Sequence, residues 1–491
     1  MINPDLKILF ACSELTPWVK TGGLADVCGS LPQALKEAGI DVRVVLPGYH
    51  SVIEKIAKPA FLAMLELPLG TVTLCRSEME GTEVLLINHK LFTNRPGNPY
   101  MSDADRPWPD NALRYALFSQ AVCEIAKSTD HLGWQPDIVH CHDWQTGLVP
   151  ALLSLETDTP ATVFTIHNLA YQGNITMAEY NRLNLPDELL IQDGLEFWGQ
   201  ASFIKGGIAY ADRINTVSPT YALEITEKEF GCGMEGLLLH RRKNLSGILN
   251  GIDIKSWDPA TDPHLAKNYT ADTLKNKADN KYDLQRYLGL RTDPDTVLFG
   301  VISRLAVQKG IDIILEAISS LPAGSFQLAV LGAGDSTLQK QLETLAAASP
   351  ANIAVAFGYI EELSHKIEAG ADAFLMPSRY EPCGLNQMYS HRYGTLPLVT
   401  RVGGLADTVI DPDQCNDSKS SDTNLAETAN GFVIDSADTT LLVKGMQRVI
   451  NTYADQPLWL QMQHNAMRVD YSWSESASHY IDMYKNIVQP G

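Results

Sequence analysis

Residues 7–39 read KILFACSELTPWVKTGGLADVCGSLPQALKEAG. The apolar run at residues 7–13 predicts a buried strand, and residues 25–38, after a loop, predict a helix that ends at Gly39. Another apolar run at residues 42–46 predicts the next strand. Short strands that alternate with helices are typical of parallel α/β structure, so this opening stretch indicates the fold class.

Both halves of the chain continue this alternation. In the first half, residues 111–128 predict a helix, and residues 138–140 and 162–166 predict strands. In the second half, the predicted helices cover residues 311–321 and 337–348, and the predicted strands cover residues 297–302, 326–331, 353–357, 373–376 and 398–400. We therefore predict an α/β protein with two doubly wound, Rossmann-like domains, one in each half.

A short repeat and a polar boundary support two domains. The sequence Gly-Gly-Leu-Ala-Asp occurs at residues 22–26 and again at residues 403–407, each time between a predicted strand and a predicted helix. Residues 258–286 are polar and charged and contain Pro259 and Pro263, which places the boundary near residues 250–257. Residues 411–430 are also polar and predict a surface loop.

The composition excludes several classes of partner. The 491 residues include 38 basic and 58 acidic side chains, so the formal net charge is −20. Such an acidic surface repels nucleic acid and anionic lipid, and neither is expected as a partner. The apolar runs are far shorter than the roughly 20 residues that a membrane helix needs. The N-terminus lacks the pattern of a signal peptide, so we expect a cytoplasmic protein, or a plastid one if a transit peptide has been removed.

Common metal and cofactor motifs are missing from the sequence. Eight cysteines form no C-x-x-C pair, which argues against a zinc site and a disulfide framework. Residues 332–337 begin like a dinucleotide fingerprint, but Thr337 replaces its third small residue. Asp103 and Asp105 have the spacing of a metal-binding pair, yet a Pro-rich loop surrounds them and solvated carboxylates explain them better. We predict neither a metal nor a cofactor.

The loop between the first strand and the first helix is a candidate ligand site. Gly22 and Gly23 would let the backbone approach a ligand, the helix start would offer N–H groups, and Lys20 would add a positive charge. A phosphate or a sugar hydroxyl would fit there. The alternative is a tight turn without a ligand, and the sequence of this loop leaves both open.

Two cations and one carboxylate form the candidate site of the second half. Arg304 and Lys309 follow the strand predicted at residues 297–302, at the sheet edge where open α/β folds bind ligands. Two cations at the end of one strand, in so acidic a chain, suggest a binding site for a di-anion such as a pyrophosphate. Glu381, before Pro382, could hold sugar hydroxyls. The alternatives are solvated surface cations and a carboxylate that caps a helix.

Histidines follow two strands of the first half. His140, His142, Asp143 and Trp144 come after one strand, and His167 and Asn168 come after the next. A metal is disfavoured because no partnering cysteine elsewhere in the chain and no second His-x-His pair would complete a ligand set. Polar groups beside an indole suit a sugar ring better, since the indole covers the ring's apolar face. Burial of each histidine in the core is the alternative.

Taken together, these residues resemble bacterial glycogen synthases and plant starch synthases, which are retaining, ADP-glucose-dependent glucosyltransferases of the GT-B fold. The likeness runs from residue 8 to about residue 484. It rests on the segments CSELTPWVKTGGLADV, HCHDWQTG, TIHNLAYQG, LNGID, SRLAVQKG, SRYEPCGLNQM and YGTLPLVTRVGGLADTV, in this order. Many retaining GT-B enzymes carry a second glutamate at the position of Tyr389, but this family lacks it as well.

The resemblance implies two domains that face a cleft. Residues 1–250, completed by a final helix at 471–489, would form the domain that binds the acceptor glucan. Residues 251–470 would form the domain that binds the nucleotide-sugar donor. It implies that Arg304 and Lys309 bind the ADP phosphates, that Tyr359 lies against adenine, and that His167 is near the anomeric carbon. The implied catalytic residues are His167, Glu381, Lys20, Arg304 and Lys309. The implied donor-binding residues are Gly22, Gly23, Asp26, Asn168, Asn250, Tyr359, Cys383, Gly384 and Leu385, and the implied acceptor-binding residues are Tyr100, His142, Asp143 and Trp144. No role is assigned to Asn386.

The resemblance also implies a reaction. Glucose would pass from ADP-glucose to the non-reducing 4-hydroxyl of an α-1,4-glucan with retention of configuration. Three other functions share parts of the pattern. A sucrose-forming or trehalose-forming transferase would use a small acceptor, and a silent glucan-binding relative would lack the donor cations. A nicotinamide oxidoreductase would need an intact dinucleotide fingerprint.

Overall fold

The computed structural model describes residues 6–56, 58–95, 97–102, 106–127, 132–413 and 428–488. The chain divides into two compact units. Unit 1 comprises Met1–Gly251 and Trp473–Gly491, and unit 2 comprises Ile252–Ser472. The predicted metal-type pair Asp103 and Asp105 lies outside the described residues, as does most of the loop predicted at residues 411–430.

Unit 1 contains a nine-stranded sheet and a small three-stranded sheet. Its strands are β1 (Lys7–Ala11), β2 (Asp41–Pro47), β3 (Ala60–Leu67), β4 (Gly70–Met79), β5 (Thr82–Asn88), β6 (Ile138–His142), β7 (Ala161–Ile166), β8 (Asn174–Ile175), β9 (Glu196–Phe197), β10 (Gln200–Ser202), β11 (Arg213–Thr216) and β12 (Leu245–Gly247). The large sheet has the order β12-β11-β7-β6-β1-β2-β5-β4-β3, and the small one has the order β8-β10-β9. The large sheet is parallel except for the pairs β3–β4 and β4–β5.

Helices cover the large sheet of unit 1, and short 3₁₀ turns occupy Trp144–Thr146 and Asp187–Leu189. The helices are α1 (Gly23–Glu37), α2 (His50–Lys55), α3 (Lys90–Thr93), α4 (Asn111–Lys127), α5 (Leu148–Leu153), α6 (Met177–Arg182), α7 (Phe203–Tyr210), α8 (Pro219–Glu224) and α9 (Glu235–His240). The helix at the end of the chain, Trp473–Val488, also belongs to this unit.

The final helix, Trp473–Val488, is held to the centre of the large sheet by buried hydrogen bonds. The Tyr484 hydroxyl lies 2.7 Å from His140 Nδ1, and His140 Nε2 lies 2.7 Å from Thr165 Oγ1. Asn215 Nδ2 donates to the Tyr480 hydroxyl at 3.1 Å. Burial holds the pKa of His140 well below its ordinary value, so the ring is neutral. His140 is thus a core residue with both ring nitrogens paired.

Unit 2 contains one six-stranded parallel sheet. Its strands are β13 (Val297–Leu305), β14 (Phe326–Gly334), β15 (Ile353–Phe357), β16 (Ala373–Met376), β17 (Leu396–Thr400) and β18 (Phe432–Ile434), in the order β15-β14-β13-β16-β17-β18. The helices are α10 (Lys277–Tyr287), α11 (Ile311–Ser320), α12 (Ser336–Ala348), α13 (Glu361–Gly370), α14 (Asn386–Arg392), α15 (Gly403–Thr408), α16 (Thr439–Ala454) and α17 (Gln456–Arg468). The final helix of the chain, Trp473–Val488, which belongs to unit 1, is α18. Short 3₁₀ turns occupy Ala271–Asn276 and Val307–Lys309.

The two doubly wound sheets confirm the predicted fold class, and the details correct some boundaries. β13 continues to Leu305, so Arg304 lies within the strand and not after it. β14 continues to Gly334, because it pairs with β13 along its whole length. The antiparallel pairs β3–β4 and β4–β5 were not predicted, although Val72 and Leu74 alternate with more exposed residues in the two-residue period of a strand.

Among the helices that the structure describes, none combines the length and the apolar character required to cross a membrane.

The Tyr484–His140 contact generates a stability prediction. The variant Tyr484→Phe keeps the ring but leaves a buried histidine nitrogen without this partner, which should cost about 1–3 kcal/mol in the free energy of unfolding. Tyr282→Phe, on an exposed tyrosine of α10, is the matched control and should have little effect. Thermal unfolding of both variants tests this. Equal midpoints for the two would contradict the role given to the buried hydroxyl.

Candidate functional site

The loop between β1 and α1 is shaped by Glu14, a buried carboxylate. Its Oε2 accepts hydrogen bonds from the backbone N–H groups of Thr21 (2.6 Å) and Gly22 (3.2 Å). Its Oε1 accepts from the Thr21 hydroxyl (2.6 Å) and from the Tyr100 hydroxyl (2.8 Å). Four donors converge on one side chain, so Glu14 holds the Lys-Thr-Gly-Gly segment in place. The sequence analysis did not identify it.

The predicted ligand-binding residues of this loop lie at the start of α1. Lys20 is 46% exposed and donates to Asp26 at 2.7 Å. A Cβ atom added at Gly22 or Gly23 would meet no atom within 4 Å. The backbone here is therefore open on the side where a side chain would stand. Asp26 restrains Lys20 by an ion pair while the ammonium stays accessible.

A buried histidine pair lies at the carboxyl ends of β6 and β7. His142 Nδ1 is 3.0 Å from His167 Nε2, and His142 Nε2 has no hydrogen-bond partner within the described part of the chain. Burial lowers the pKa of His167 to about 3 and that of His142 well below its ordinary value. Both rings are neutral at physiological pH. They can exchange hydrogen bonds, but they cannot supply a positive charge.

Asp143 joins the same two strand ends. Its Oδ1 accepts from the backbone N–H groups of His167 (2.7 Å) and Asn168 (3.4 Å). Its backbone has φ 55° and ψ −176°, a region that residues other than glycine rarely adopt and that is concentrated at functional sites. Burial raises the pKa of its carboxyl to about 7. Asp143 therefore positions the His167–Asn168 backbone.

Three more of the predicted site residues lie in unit 1. Two have half-buried side chains, and the third has a buried oxygen without a hydrogen-bond partner among the described residues. Tyr100 is half-buried, and burial beside Glu14 raises the pKa of its hydroxyl well above the ordinary value. Trp144 is half-buried and packs edge-on against Tyr115, with ring centroids 5.0 Å apart. Asn250 is 7% exposed, and its Oδ1 has no hydrogen-bond partner among the residues described. A ligand hydroxyl could pair with that oxygen.

Unit 2 has a cavity of about 140 Å³ beside the carboxyl ends of β13 and β16. Arg304, Lys309 and Glu381 all line it, as do Gly384 and Leu385. Lys309 Nζ lies 2.5 Å from Glu381 Oε2, which also accepts from the Ser378 hydroxyl at 3.0 Å. The three charged residues predicted from separate motifs are thus brought to one place. Asn386, to which no role was assigned, lines the same cavity and donates to the Ile302 carbonyl.

A second ion pair supports the turn that carries Lys309. Arg379 makes two hydrogen bonds to the Asp312 carboxylate, at 2.8 and 2.6 Å, and another to the Val307 carbonyl. Gln308 accepts from Arg304 at 2.7 Å and donates to the Tyr380 carbonyl at 3.2 Å. These contacts tie the 3₁₀ turn Val307–Lys309 to the segment that contains Glu381. Arg379 and Asp312 are positioning residues to which the sequence assigned no role, because their contact joins segments that are 67 positions apart in the chain.

The backbone from Glu381 to Leu385 is set by close contact with the second Gly-Gly pair. A Cβ atom at Gly403 would lie 2.0 Å from the Glu381 carbonyl oxygen, and one at Gly404 would lie 2.0 Å from the Cys383 carbonyl oxygen. Gly384 has φ +72°, in the left-handed region that favours glycine. Cys383 itself is buried. The repeated Gly-Gly-Leu-Ala-Asp sequence thus packs tightly in unit 2 but is open in unit 1.

Tyr359 follows the end of β15 and is 79% exposed. The preceding Gly358 has φ +105°, so the chain turns sharply after the strand. Tyr359 is at the same edge of the sheet as the cavity residues, because parallel strands end on one side. Its ring is accessible to a planar ligand.

The described ranges contain no group of three or more His, Cys, Asp and Glu side chains that could hold a metal ion.

Comparisons with known proteins give the family. Residues 7–240 match the starch synthase catalytic domain, and residues 288–467 match the glycosyl transferases group 1 family. The chain is 47% identical to glycogen synthase 1 of Methylococcus capsulatus, over 98% of this chain and 97% of that protein. It is 49% identical to the glycogen synthase of Cellvibrio japonicus, over 98% and 99%.

The chain belongs to the glycogen and starch synthase family. It is therefore a glycosyltransferase of glycogen or starch synthesis, and the ADP-glucose donor and retention of configuration fit this family. The catalytic domain of starch synthase IV from Arabidopsis thaliana, solved with ADP and acarbose, superposes with a TM-score of 0.84 at 32% identity, covering 99% of both chains. A sucrose-phosphate synthase from Thermosynechococcus elongatus, with a TM-score of 0.60 at 16% identity, shares the fold alone.

The two Gly-Gly pairs generate a matched prediction. Gly404→Ala should destabilise the protein by about 1–3 kcal/mol, because the new Cβ collides with the Cys383 backbone. Gly23→Ala should leave stability unchanged or raise it by up to about 1 kcal/mol, because nothing obstructs the methyl group and alanine favours the helix. Thermal unfolding of the two variants measures this. Similar losses for both would show that the environments of the two pairs do not differ.

Asp143 generates a prediction about pH. Its folded-state pKa of about 7 lies above the ordinary 3.8, so its protonated form is favoured by folding and its contribution to stability declines as pH rises between those values. Wild-type stability should therefore fall relative to Asp143→Asn from pH 5 to pH 7 and change little above that. Chemical unfolding of both proteins at several pH values tests the sign. A stability difference that is independent of pH would contradict it.

Proposed function

We propose that this chain transfers glucose from ADP-glucose to the non-reducing 4-hydroxyl of an α-1,4-glucan, with retention, through the residues described above. The observation that carries the proposal is the cluster of Arg304, Lys309 and Glu381 on one small cavity of unit 2. In a chain with a net charge of −20, two cations at the end of one strand form a local site for an anion.

The donor diphosphate is bound by Arg304 and Lys309. Their positive charges neutralise the phosphate oxygens and stabilise the charge that develops on the leaving ADP. The Arg379–Asp312 pair holds the turn that carries Lys309, so the ammonium is in place before the donor arrives. The ion pair with Glu381 has the same effect. Electrostatic stabilisation of this kind is strongest when the charged groups need no rearrangement during the reaction.

The transferred glucose is held by Glu381 and by the backbone from Cys383 to Leu385. Glu381 is largely buried and accepts hydrogen bonds from Lys309 and Ser378, which leaves its second carboxylate oxygen for a sugar hydroxyl. The close contacts of Gly403 and Gly404 keep this backbone rigid. Tyr359 lies against the adenine ring, since an exposed aromatic ring at the same sheet edge as the phosphate site suits a planar base.

Within unit 1, the loop with Lys20, Gly22, Gly23 and Asp26 offers groups that suit a nucleotide-sugar donor, and His167 offers one that suits a sugar. His167 is a neutral hydrogen-bonding group, because its pKa of about 3 excludes the charged form at physiological pH. Asn168 follows His167 in the chain, and the buried Asn250 Oδ1, which has no hydrogen-bond partner among the described residues, can accept from a sugar hydroxyl. Tyr100 and Trp144 contact the acceptor glucan. His142 and Asp143 act through His167, since both are buried and in contact with it.

Retention of configuration is best explained by a front-face displacement. A double displacement needs two carboxyl groups about 5 Å apart, one of them a nucleophile. Among the described residues that line the cavity of unit 2, Glu381 is the single carboxylate, and it is paired with Lys309. In the front-face route the bond from C1 to the phosphate oxygen breaks, the bond from the acceptor O4 to C1 forms on the same face, and the acceptor proton passes to the departing phosphate.

A cytoplasmic location is part of the same proposal. The seven cysteines within the described ranges are all free thiols, and six of them are buried. Free thiols persist in reducing compartments, which supports this location.

The test is glucose transfer to maltooligosaccharides with ADP-glucose and UDP-glucose in parallel. Lys309→Ala and Arg304→Ala should each lower the rate about a hundredfold or more, because removal of one transition-state hydrogen-bond donor costs about 3 kcal/mol. Lys340→Ala, an exposed lysine on α12 of the same unit, should retain full activity. Thermal unfolding confirms that each variant is folded.

Two results would overturn the proposal. Wild-type rates in Lys309→Ala would show that this cation does not bind the phosphates. Transfer to fructose but not to maltooligosaccharides would indicate a small-acceptor transferase instead. A preference for UDP-glucose would contradict both the ADP-glucose donor and the adenine site at Tyr359, but not the phosphate site.

A further inference from the structure

An exposed tryptophan occupies a backbone position that disfavours it. β9 and β10 form a hairpin in which Phe197 pairs with Gln200, so Trp198 and Gly199 alone make the turn. Their φ angles are +53° and +78°, the combination that a type I′ turn requires. Asparagine and glycine suit such turns, whereas a bulky side chain at positive φ is strained. Trp198 is nevertheless 82% exposed, so burial of its ring does not offset the strain.

The hairpin is firmly anchored despite this strain. The Gly199 N–H donates to Glu196 Oε1 at 2.9 Å, inside the turn. The buried Lys205 donates to the carbonyls of Gln192 (2.5 Å) and Glu196. Such anchoring fixes the backbone of the turn, and strained residues held by their surroundings are concentrated at functional sites. Trp198 is therefore mostly exposed and contributes little to packing.

Two other aromatic residues belong to the segments that form or lead into this small sheet. Phe197 is half-buried, with its ring centroid 6.4 Å from that of Trp198, and Tyr171 is 55% exposed. A Cβ atom at Gly233 would lie 3.1 Å from Phe197 and 3.5 Å from the indole nitrogen of Trp198. Gln172, next to Tyr171, donates to the carbonyl of Cys232 at 2.9 Å. We call Tyr171, Phe197 and Trp198 the aromatic patch.

The aromatic patch is continuous with the segment that carries His167. Tyr171 donates its N–H to the Asn168 carbonyl at 3.2 Å, in the turn that follows His167. The Gln172 carbonyl accepts from the Ser202 hydroxyl at 3.0 Å, and β8 pairs with β10. One short sheet thus joins the His167 loop to the Trp198 hairpin. A chain-like ligand whose end lies near His167 can extend over this sheet.

We propose that the aromatic patch binds the part of an α-1,4-glucan acceptor that lies beyond the reacting end, with a glucose ring stacked on Trp198. Sugar rings present apolar C–H faces to aromatic rings and hydroxyl groups to polar neighbours. Gln172, Asn174 and Glu196 supply amide and carboxylate groups beside the patch. The inference rests on the proposed function for the identity of the ligand. It adds residues that favour long acceptors over short ones.

The test separates binding from folding through the choice of variant. Trp198→Asn removes the ring but suits the positive φ, so its melting temperature should equal or exceed that of the wild type. Its Kd for maltoheptaose, measured by calorimetry without any donor, should rise about three- to tenfold, the loss of one aromatic contact. Trp198→Tyr, which keeps an aromatic ring at this position, should bind maltoheptaose with most of the wild-type affinity. Phe61→Ala, on an exposed phenylalanine of the edge strand β3, is the control and should bind as the wild type does.

Transfer kinetics supply a second readout. The KM of Trp198→Asn should rise more for maltoheptaose and glycogen than for maltotriose, since a short acceptor does not reach the patch. An unchanged Kd for maltoheptaose in Trp198→Asn would overturn the inference, as would an equal loss of affinity in Phe61→Ala. A change of oligomeric state in Trp198→Asn without a change in Kd would show an interface between copies of the chain instead.

The same measurements distinguish this inference from the proposed function. If the wild type transfers no glucose but Trp198→Asn weakens glucan binding, the proposed function fails and the aromatic patch stands. If transfer to glycogen is normal and insensitive to Trp198→Asn, the proposed function stands and the aromatic patch fails.

Discussion

Parallel strand pairing is the constraint on which the described sites depend. The strands of a parallel sheet end on the same edge, so side chains that are far apart in sequence are brought together there. In unit 1 this edge collects the loop after β1, the histidines after β6 and β7, and the Asp143 carboxylate that links those two strand ends. In unit 2 it collects Arg304 and the segment around Glu381. The helices and the core support that arrangement.

Buried carboxylates then set the local geometry of this acidic protein. Glu14 accepts four hydrogen bonds and shapes the Gly-Gly loop, and Asp143 orients the His167–Asn168 backbone. Glu381 pairs with Lys309. A buried carboxylate is costly unless several donors surround it, and the same donors become rigid when they are bound to it. The hydrogen bonds that offset the free-energy cost of burying these carboxylates therefore also hold the neighbouring site residues in fixed positions.

Neutral histidines and accessible cations have different electrostatic roles in the described sites. Burial lowers the pKa of His142 and His167, which leaves them as uncharged hydrogen-bonding groups. Lys20 and Lys309 are each paired with a carboxylate, and neither is fully enclosed. In unit 1 the histidine pair therefore offers hydrogen bonds, and in unit 2 two cations, Arg304 and Lys309, line the small cavity. This separation agrees with a reaction whose leaving group carries the developing negative charge.

The sequence by itself determined the alternation of strands and helices, the two-domain layout and most of the charged residues of the candidate sites, because these depend on local periodicity and on position after a strand. Only the tertiary structure decided what those residues contact. Glu14 and Arg379 received no role from the sequence, because the groups that they contact are backbone N–H groups or residues on other segments. The Gly-Gly-Leu-Ala-Asp repeat is the clearest case: its glycines face open space in unit 1 and carbonyl oxygens 2.0 Å away in unit 2. Identical residues differ in this way because close approach is set by the packing of distant segments, which a local sequence does not encode.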